Sequence, residues 1–332
     1  MKKKILAVVL AVMLGSTLMT AGVAAEEEPV TLEEDALLKL GGASNTGTMY
    51  FVAAAIQEGV SKNFTNLNVM AEATSGGTEN IRRLSSGELE LAVSSTLAIH
   101  EEVAGGTASA ENIAFLGSLY PNPYMVFANT STEPTLEAAY EKGKTIGAGE
   151  PGSSTSAQLN LALQVLGTTL DDYNVEYINM GDQTTEMVDG RLDTGFWGGP
   201  IPTAAITQLA AQMKGGVHLI NWTQEQVDKW IELDPLCSGM VIPANTYDGT
   251  DYEVLTPGTY TTLTCRADAS EEAIYELTKY IYTHAEELGE IYPTAGQIST
   301  DFALEGQAVL EENDGVILHP GAEKFYKEIG LL

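Results

Sequence analysis

Positive charge is scarce in this sequence. Its 332 residues include 16 lysines and arginines against 46 aspartates and glutamates, which gives a formal net charge of −30. Proteins bind nucleic acid through clusters of lysine and arginine on the phosphates, and no such cluster is present after residue 25. Nucleic acid and anionic membrane surfaces are therefore excluded as partners. The excess of acid indicates a solvated surface that repels its own copies, and we expect a monomer.

Cysteine and histidine are also few. Two cysteines, Cys237 and Cys265, are compatible with either a disulfide or two free thiols. The four histidines are scattered, and no close spacing of cysteine and histidine indicates a zinc site. We expect no metal and no cofactor.

Common catalytic motifs are missing. The sequence has no G-x-S-x-G nucleophile elbow and no phosphate-binding loop ending in Gly-Lys-Ser/Thr. Acidic residues are so abundant that no pair of them stands out as an acid and base couple. We therefore expect a protein that is not an enzyme.

The one long hydrophobic run lies at the start of the chain. Lys2, Lys3 and Lys4 precede an apolar run over residues 5–18, and small residues end at Ala25. This pattern is typical of a secretory signal peptide, and the run is too short for a membrane span. We expect cleavage after residue 25 and export to the periplasm or the cell surface. The exported chain would carry 13 basic and 46 acidic residues, a net charge of −33.

A loop rich in small polar residues follows the first apolar strand. Residues 37–41 read as a strand, and Gly41 and Gly42 end it. Hydroxyl residues then lead into a helix that begins near Gly47. A helix start carries unpaired N–H groups and partial positive charge, which suits a carboxylate. An ordinary strand–helix turn is the alternative for one such loop alone.

The chain builds this arrangement twice. The order strand, helix, strand, helix, strand runs over residues 37–93 and returns over residues 144–197. Three anchors keep a nearly constant offset: Gly47 with Gly152, Asn68 with Asn174, and Gly87 with Gly190. Such self-similarity predicts a repeated βαβαβ unit. Alternating strands and helices predict parallel sheets flanked by helices, with the ligand at the carboxyl ends of the strands.

Proline-containing segments indicate crossings between the two units. Residues 119–127 and 239–243 read as two crossovers, and residues 260–265 as a strand that returns to the first unit. We predict an α/β, two-lobed fold of the type II periplasmic-binding-protein kind, with a cleft between the lobes. Lobe 1 comprises residues 26–123 and 240–332, and lobe 2 comprises residues 124–239. Residues 273–288 read as one long amphipathic helix.

An ordered set of short motifs carries a family resemblance. The set covers nearly the whole exported chain, and its members are Thr46-Gly47-Thr48-Met49-Tyr50, Thr74-Ser75-Gly76-Gly77-Thr78-Glu79-Asn80, Ser86-Gly87-Glu88-Leu89, Gly149-Glu150-Pro151-Gly152-Ser153, Gly198-Gly199-Pro200, Ile242-Pro243-Ala244-Asn245 and His319-Pro320-Gly321. Together they resemble the TAXI family of solute receptors, which serve tripartite ATP-independent periplasmic (TRAP) transporters. The resemblance implies a solute-binding protein that delivers a small organic acid or amino acid, for example glutamate, a dicarboxylate or a 2-oxoacid, to ion-coupled membrane subunits.

The resemblance also implies ligand-binding positions in both units. They are Thr46, Gly47, Thr48, Tyr50, Ser75, Gly76, Gly77, Thr78, Ser95 and Thr96 in the first unit, and Gly152, Ser153, Ser154, Thr155, Trp197 and Gly198 in the second. Helix capping is the alternative role for the serines and threonines, and core packing is the alternative for Trp197. Two other functions stay open: a binding protein of an ATP-driven importer, and an exported enzyme on the same fold.

Overall fold

A computed structural model describes residues 28–45, 47–149 and 154–332. The predicted signal peptide lies outside these residues. The described strands are β1 (Ala36–Gly41), β2 (Leu67–Glu72), β3 (Leu91–Ser95), β4 (Ile113–Asn129), β5 (Thr145–Gly147), β6 (Asn174–Glu176), β7 (Thr194–Gly198), β8 (Val217–Leu219), β9 (Ser238–Ile242) and β10 (Val254–Arg266). The described α-helices are α1 (Thr48–Asn63), α2 (Gly77–Ser86), α3 (Thr96–Ala104), α4 (Leu136–Ala139), α5 (Ser154–Leu166), α6 (Met180–Val188), α7 (Ala204–Gln212), α8 (Gln224–Leu233), α9 (Glu271–Thr283), α10 (Ala285–Ile291), α11 (Gln307–Asp314) and α12 (Pro320–Glu328).

The repeated βαβαβ unit is confirmed. In the first unit β1 pairs in parallel with β2 and β3, and in the second β5 pairs in parallel with β6 and β7. Each unit has its helices at the predicted places, α1 and α2 in the first and α5 and α6 in the second. The fold is therefore α/β, with two mostly parallel groups of strands flanked by helices.

Two long antiparallel strands join these groups. The strand order is β2-β1-β3-β10-β4-β7-β5-β6, with β8 added on β4 and β9 on β10. β4 pairs with β10 up to Pro123 and with β7 from Tyr124 onward. The predicted crossover with two prolines is thus part of one continuous strand.

The register brings the carboxyl ends of the two groups towards each other. Ser95, the last residue of β3, lies opposite Thr261, which lies opposite Tyr120 of β4. Gly198, the last residue of β7, lies opposite Tyr124. β3 runs parallel to β4 and β7 runs against it, so that both strands end facing the same short stretch of β4. Four residues of strand, about 13 Å, separate the two ends.

The two faces of this sheet are covered by different helices. Tyr120 belongs to one apolar cluster with residues of α1, and Tyr124 belongs to another with residues of α5. The alternate residues Met125 and Phe127 pack in a third cluster with α7. Side chains alternate along β4 from Tyr120 onward, so that Tyr120, Asn122 and Tyr124 lie on the face covered by α1 and α5.

The return crossing lies at a different place from the predicted one. Residues 239–243 were expected to lead back to the first group. They form most of β9 instead, which pairs antiparallel with Val254–Gly258 and so runs away from the first group. β10 makes the return, from its pairing with β9 to its pairing with β3.

The long helix expected over residues 273–288 is divided. α9 ends at Thr283, and α10 begins at Ala285 after a non-helical His284 with φ −119° and ψ 28°. The break lets both helices follow α1, where the absence of a side chain on Gly59 makes room for Tyr280 and Leu288. Residues 273–288 contain no glycine or proline that would predict the break.

Both cysteines are free thiols in this structure. Cys265 is packed in the cluster that contains α1, and Cys237 in the cluster that contains α5. Burial raises the pKa of both thiols, which keeps them protonated. The two cysteines therefore act as small apolar residues of separate cores.

A buried histidine caps the last helix. The Nδ1 atom of His319 accepts a hydrogen bond of 3.1 Å from the N–H of Gly321, at the start of α12. Burial lowers the pKa of His319 below its ordinary value of 6.5, because the cation would lose its hydration. Between that lowered pKa and 6.5 the unfolded chain binds more protons than the folded chain. The stabilising contribution of His319 is therefore complete above pH 6.5 and is lost as the pH falls below it.

Substitution of His319 tests this pH dependence. Asparagine keeps a side-chain acceptor for the helix start and does not titrate. We expect His319→Asn to flatten the fall in Tm between about pH 6.5 and 5, a range that follows from the ordinary pKa of histidine. Thermal unfolding at a series of pH values measures this slope, and an equal slope in both proteins would contradict the assignment.

Candidate functional site

A buried amide from the second helix of each unit is hydrogen-bonded to its strands. The Nδ2 atom of Asn80, on α2, donates to the carbonyl of Gly42 at 2.5 Å and to that of Val93 at 2.8 Å. In the second unit the Oε1 atom of Gln183, on α6, accepts from the N–H of Phe196 at 3.1 Å. Both side chains have no exposed surface. The carboxyl ends of the strands are therefore fixed by side chains from the second helix of each unit.

Glycine is required beside both anchors. A Cβ atom on Gly41 would stand 2.5 Å from the Oδ1 atom of Asn80, and one on Gly147 would stand 2.5 Å from the Oε1 atom of Gln183. The two units thus share the same close contact between a strand glycine and a buried amide oxygen.

The first loop leads into a helix whose N-cap residue, Gly47, has no side chain. Gly47 is the N-cap residue of α1, with no side-chain hydrogen bond to the first turn and no acidic residue in that turn. Gly42 lies so close that a Cβ atom there would stand 2.8 Å from the Cα of Tyr50. Thr48 opens the helix, and Thr46 lies outside the described residues. The first turn of α1 keeps its partial positive charge.

The second loop is occupied by its own carboxylate. Glu79, in the first turn of α2, accepts from the hydroxyl of Ser75 and from its N–H at 2.9 Å. These hydrogen bonds lower the pKa of Glu79, with the hydroxyl as the largest cause. Gly76 precedes the helix with φ +128°, a conformation that glycine adopts freely. Gly77 and Thr78 open α2. Since Glu79 takes the donors of Ser75, an anionic ligand would have to displace it there.

The residues that end β3 have structural partners. The hydroxyl of Ser95 caps α3 by accepting from the N–H of Ala98 at 3.2 Å. Thr96 is buried, and its hydroxyl donates to the carbonyl of Leu236 at 3.4 Å. The capping alternative therefore describes Ser95, whereas Thr96 links α3 to the segment before β9.

The predicted positions of the second unit lie in and around α5 and β7. Gly152 and Ser153 lie outside the described residues, and Ser154 begins α5. Thr155 is buried. Like α1, α5 has no acidic residue in its first turn. Trp197 packs with the cluster that contains α7, on the face of the sheet away from α5, which favours the packing role for its ring.

Gly198 stands at the carboxyl end of β7 beneath α5. A Cβ atom there would stand 2.8 Å from the Tyr124 ring and 3.0 Å from the Oε1 atom of Gln158. Gln158 lies one turn into α5 and donates from Nε2 to the hydroxyl of Tyr124 at 2.9 Å. Gln158 and Tyr124 are not among the predicted site residues, because only the folded sheet brings them together.

A row of polar side chains occupies the stretch of β4 between the two strand ends. Tyr120 and Tyr124 are buried, and the half-buried Asn122 lies between them. The Nδ2 atom of Asn122 donates to the hydroxyl of Thr261 at 2.6 Å, and that hydroxyl lies beside Tyr120. We call Tyr120, Asn122, Tyr124, Thr261 and Gln158 the floor of the site. The sequence analysis missed these residues because their meeting depends on pairing between distant strands.

The four arginines are paired with carboxylates away from the floor. Arg82 contacts Glu102 at 2.6 Å, Arg83 contacts Glu72 at 2.7 Å, Arg191 contacts Asp189 at 2.7 Å, and Arg266 contacts Asp268 at 2.6 Å. An anion at the facing strand ends would therefore meet N–H groups, hydroxyls and amides rather than a guanidinium.

One family covers most of the chain. The NMT1-like family matches residues 40–330. The chain belongs to the NMT1-like family.

Solved structures agree with the fold of this NMT1-like protein. A periplasmic sulfonate-binding protein of a putative sulfonate ABC transporter from Methylobacillus flagellatus KT is 13% identical, with 90% of this chain and 96% of that chain covered and a TM-score of 0.52. The aliphatic sulphonate binding protein SsuA from Escherichia coli is 15% identical over 89% of this chain and 84% of that one, with a TM-score of 0.49. The likeness to the first of these shows the fold, that of two-lobed periplasmic binding proteins.

Other features of this NMT1-like protein lie away from the facing strand ends. A cavity of about 220 Å³ lies near the amino end of β3 and is lined by Leu84, Ser85, Ser86, Gly87, Glu111, Asn112, Arg266 and Asp268. Among the described residues, no group of three or more His, Cys, Asp or Glu could hold a metal ion. No described helix is long and apolar enough to cross a membrane.

Proposed function

We propose that this protein is an exported solute-binding protein that captures one small organic anion or amino acid and delivers it to a membrane transporter. The observation that carries this proposal is the register of β4, which brings the carboxyl ends of two parallel strand groups to within about 13 Å of strand. Ligands of open α/β sheets bind at such ends. Two ends that face each other would enclose a small molecule. Membership of the NMT1-like family and the fold agree with this function.

A carboxylate fits the charges around these ends. α1 and α5 both begin there without an acidic residue in the first turn, and the N-cap residue of α1 is a glycine. Helix N–H groups and the helix dipole stabilise an anion at such a position. The first turn of α2 differs, because it already contains the carboxylate of Glu79. The starts of α1 and α5 are therefore the sites for the carboxylate of the ligand.

The membrane partner follows from the resemblance to TAXI receptors. We propose the ion-coupled subunits of a TRAP transporter, with the protein itself a monomer outside the cytoplasmic membrane. The second candidate is an ATP-driven importer, which the fold likeness to a protein of a putative sulfonate ABC transporter favours. Reconstitution with each class of membrane protein would distinguish them, because uptake would require either an ion gradient or ATP.

A thermal-shift screen tests the binding function. A ligand that binds only the folded state raises Tm with its excess over Kd. We expect shifts with organic acids or amino acids and none with sugars. Shifts confined to neutral or cationic compounds would contradict the carboxylate assignment. Turnover of a bound compound would point instead to an exported enzyme.

We also propose that the lobes divide where β4 and β10 cross, and that the ligand closes them. Gln297 packs beside residues of the core that contains α1, whereas Ile201 packs on the core that contains α7. The Nε2 atom of Gln297 donates to the carbonyl of Ile201 at 2.6 Å. This hydrogen bond spans the two strand groups and would hold them together.

Removal of that hydrogen bond tests the closing motion. A single hydrogen bond contributes about 0.5–1.5 kcal/mol, and we expect Gln297→Ala to weaken ligand binding about 2- to 10-fold. The Tm without ligand should change little, because both cores stay intact. Calorimetry measures Kd, with Gln212→Ala on an exposed part of α7 as the control. Equal affinities for Gln297→Ala and the unaltered protein would exclude a role for this contact.

A further inference from the structure

The floor of the site contains two half-buried amides among buried hydroxyl groups. Asn122 lies on β4 between the two strand ends, and Gln158 lies on α5 above Gly198. Gln158 is hydrogen-bonded to Tyr124, and Tyr124 lies two residues after Asn122, about 7 Å along β4. Their partial exposure distinguishes them from Tyr120, Tyr124 and Thr261, which are buried.

The hydrogen bonds of Tyr124 fix the orientation of the Gln158 amide. The thiol of Cys237 lies 3.2 Å from a carboxylate oxygen of Asp234 and 3.8 Å from the hydroxyl of Tyr124. The thiol is the donor towards both of these oxygens. The Tyr124 oxygen also accepts from the Nε2 atom of Gln158 at 2.9 Å. The Oε1 atom is left facing Gly198 at the end of β7.

The amide of Asn122 is oriented in the same sense. Its Nδ2 atom donates to the hydroxyl of Thr261 at 2.6 Å, and the Thr261 hydroxyl has Tyr120 as its own neighbour. The Oδ1 atom has no hydrogen-bond partner among the described residues. At each end of the floor an amide nitrogen donates a hydrogen bond within the protein, and the amide oxygen stays available as an acceptor.

We propose that Asn122 and Gln158 are specificity-determining residues whose amide oxygens accept hydrogen bonds from an ammonium or amide N–H of the solute. This inference rests on the proposed function, in which the first turns of α1 and α5 take the carboxylate. A site built to receive N–H donors rejects an analogue that lacks them, because its acceptors are then left unpaired. The strongly negative net charge of the chain favours an ammonium over a second carboxylate. The solute class is therefore a carboxylate that also carries an N–H donor, rather than an oxo acid that lacks a donor at that position.

Calorimetry with matched solute pairs tests the inference. Each pair contains an amino acid and its 2-oxo analogue, for example L-alanine with pyruvate and L-glutamate with 2-oxoglutarate. We expect the best amino acid to bind at least 10-fold more tightly than its partner. Gln158→Leu should weaken the amino acid about 10-fold and leave its partner nearly unchanged, and Asn122→Ala should act in the same direction.

Controls separate recognition from folding. Gln164→Leu lies on the exposed face of the same helix and Asn68→Ala on the exposed face of β2, and neither should change the ratio within a pair. Gln158→Glu keeps the shape of the side chain and should preserve or increase the preference for the amino acid if the leucine variant does not fold.

The failures are distinguishable. Equal loss of both members of a pair in Gln158→Leu, or tighter binding of the oxo acid by the unaltered protein, would overturn the inference alone. Absence of binding by every carboxylate would overturn the proposed function and the inference with it.

Discussion

Substitution of Gly198 by valine is expected to abolish solute binding while the protein stays folded. The added Cβ would stand 2.8 Å from the ring of Tyr124, which is buried and cannot move aside. The same atom would displace Gln158, whose Oε1 lies 3.0 Å away. Overpacking of this kind costs about 1–3 kcal/mol, and we expect affinity to fall about 100-fold or more because the end of β7 is filled.

Calorimetry and thermal unfolding measure the two parts of this result. Gly181→Ala is the control, because a Cβ there would meet its nearest neighbour at 3.3 Å on the solvent side of α6. A Gly198→Val protein that binds its solute with unchanged affinity would show that the ligand does not contact the end of β7.

Replacement of Asn80 by leucine is expected to cause the largest loss of stability. The leucine would leave the carbonyl of Gly42 without the donor it has now and would remove one donor from Val93, both in a region with no exposed surface. Each buried group left unpaired costs about 1–3 kcal/mol, and we expect a loss of about 2–4 kcal/mol. For a chain of this size that corresponds to a fall in Tm of roughly 3–6 °C.

The loss should also reach the binding site, since Asn80 holds the loop before α1 against β3. Asn160→Leu, on the exposed face of α5, is the control and should change Tm by little. A fall in Tm no larger than that of the control would mean that Asn80 does not anchor the first unit.

The sequence analysis predicted the repeated unit because its signals are local. Apolar runs, glycines at strand ends and helical spacing all act within about 15 residues, and the two copies reinforced each other at the same offset. The crossing strands were beyond such reasoning. β4 and β10 pair residues more than 130 positions apart, and no local pattern states which segment returns to the first group.

The ligand-binding positions remain predictions, and the structure shows the local contacts of those that it describes. Ser75 and Glu79 stood in the quoted motif, and their spacing was a visible signal that the loop carries its own carboxylate. Thr46, Gly152 and Ser153 stay predictions because they lie outside the described residues. Trp197 faces away from α5, since strand alternation places it beside Met125. Asn122 and Gln158 gave no signal of their own, because only the folded sheet brings them to the strand ends.

The break between α9 and α10 also depends on contacts between residues that are distant in the sequence. His284 adopts a non-helical conformation without any glycine or proline beside it, and its ring stacks on Tyr280 with centroids 4.6 Å apart. The helices bend around α1 at Gly59. Packing against a distant helix overrides the local helical pattern, which periodicity cannot reveal.

Hydrogen exchange with a bound solute tests the central claim most directly. The claim is that one solute contacts the carboxyl ends of both strand groups. Mass spectrometry of the protein with and without its tightest carboxylate should show new protection at the first turn of α1, the first turn of α5 and residues 120–124 together. Protection confined to one strand group, or to the cavity beside Arg266, would contradict the account.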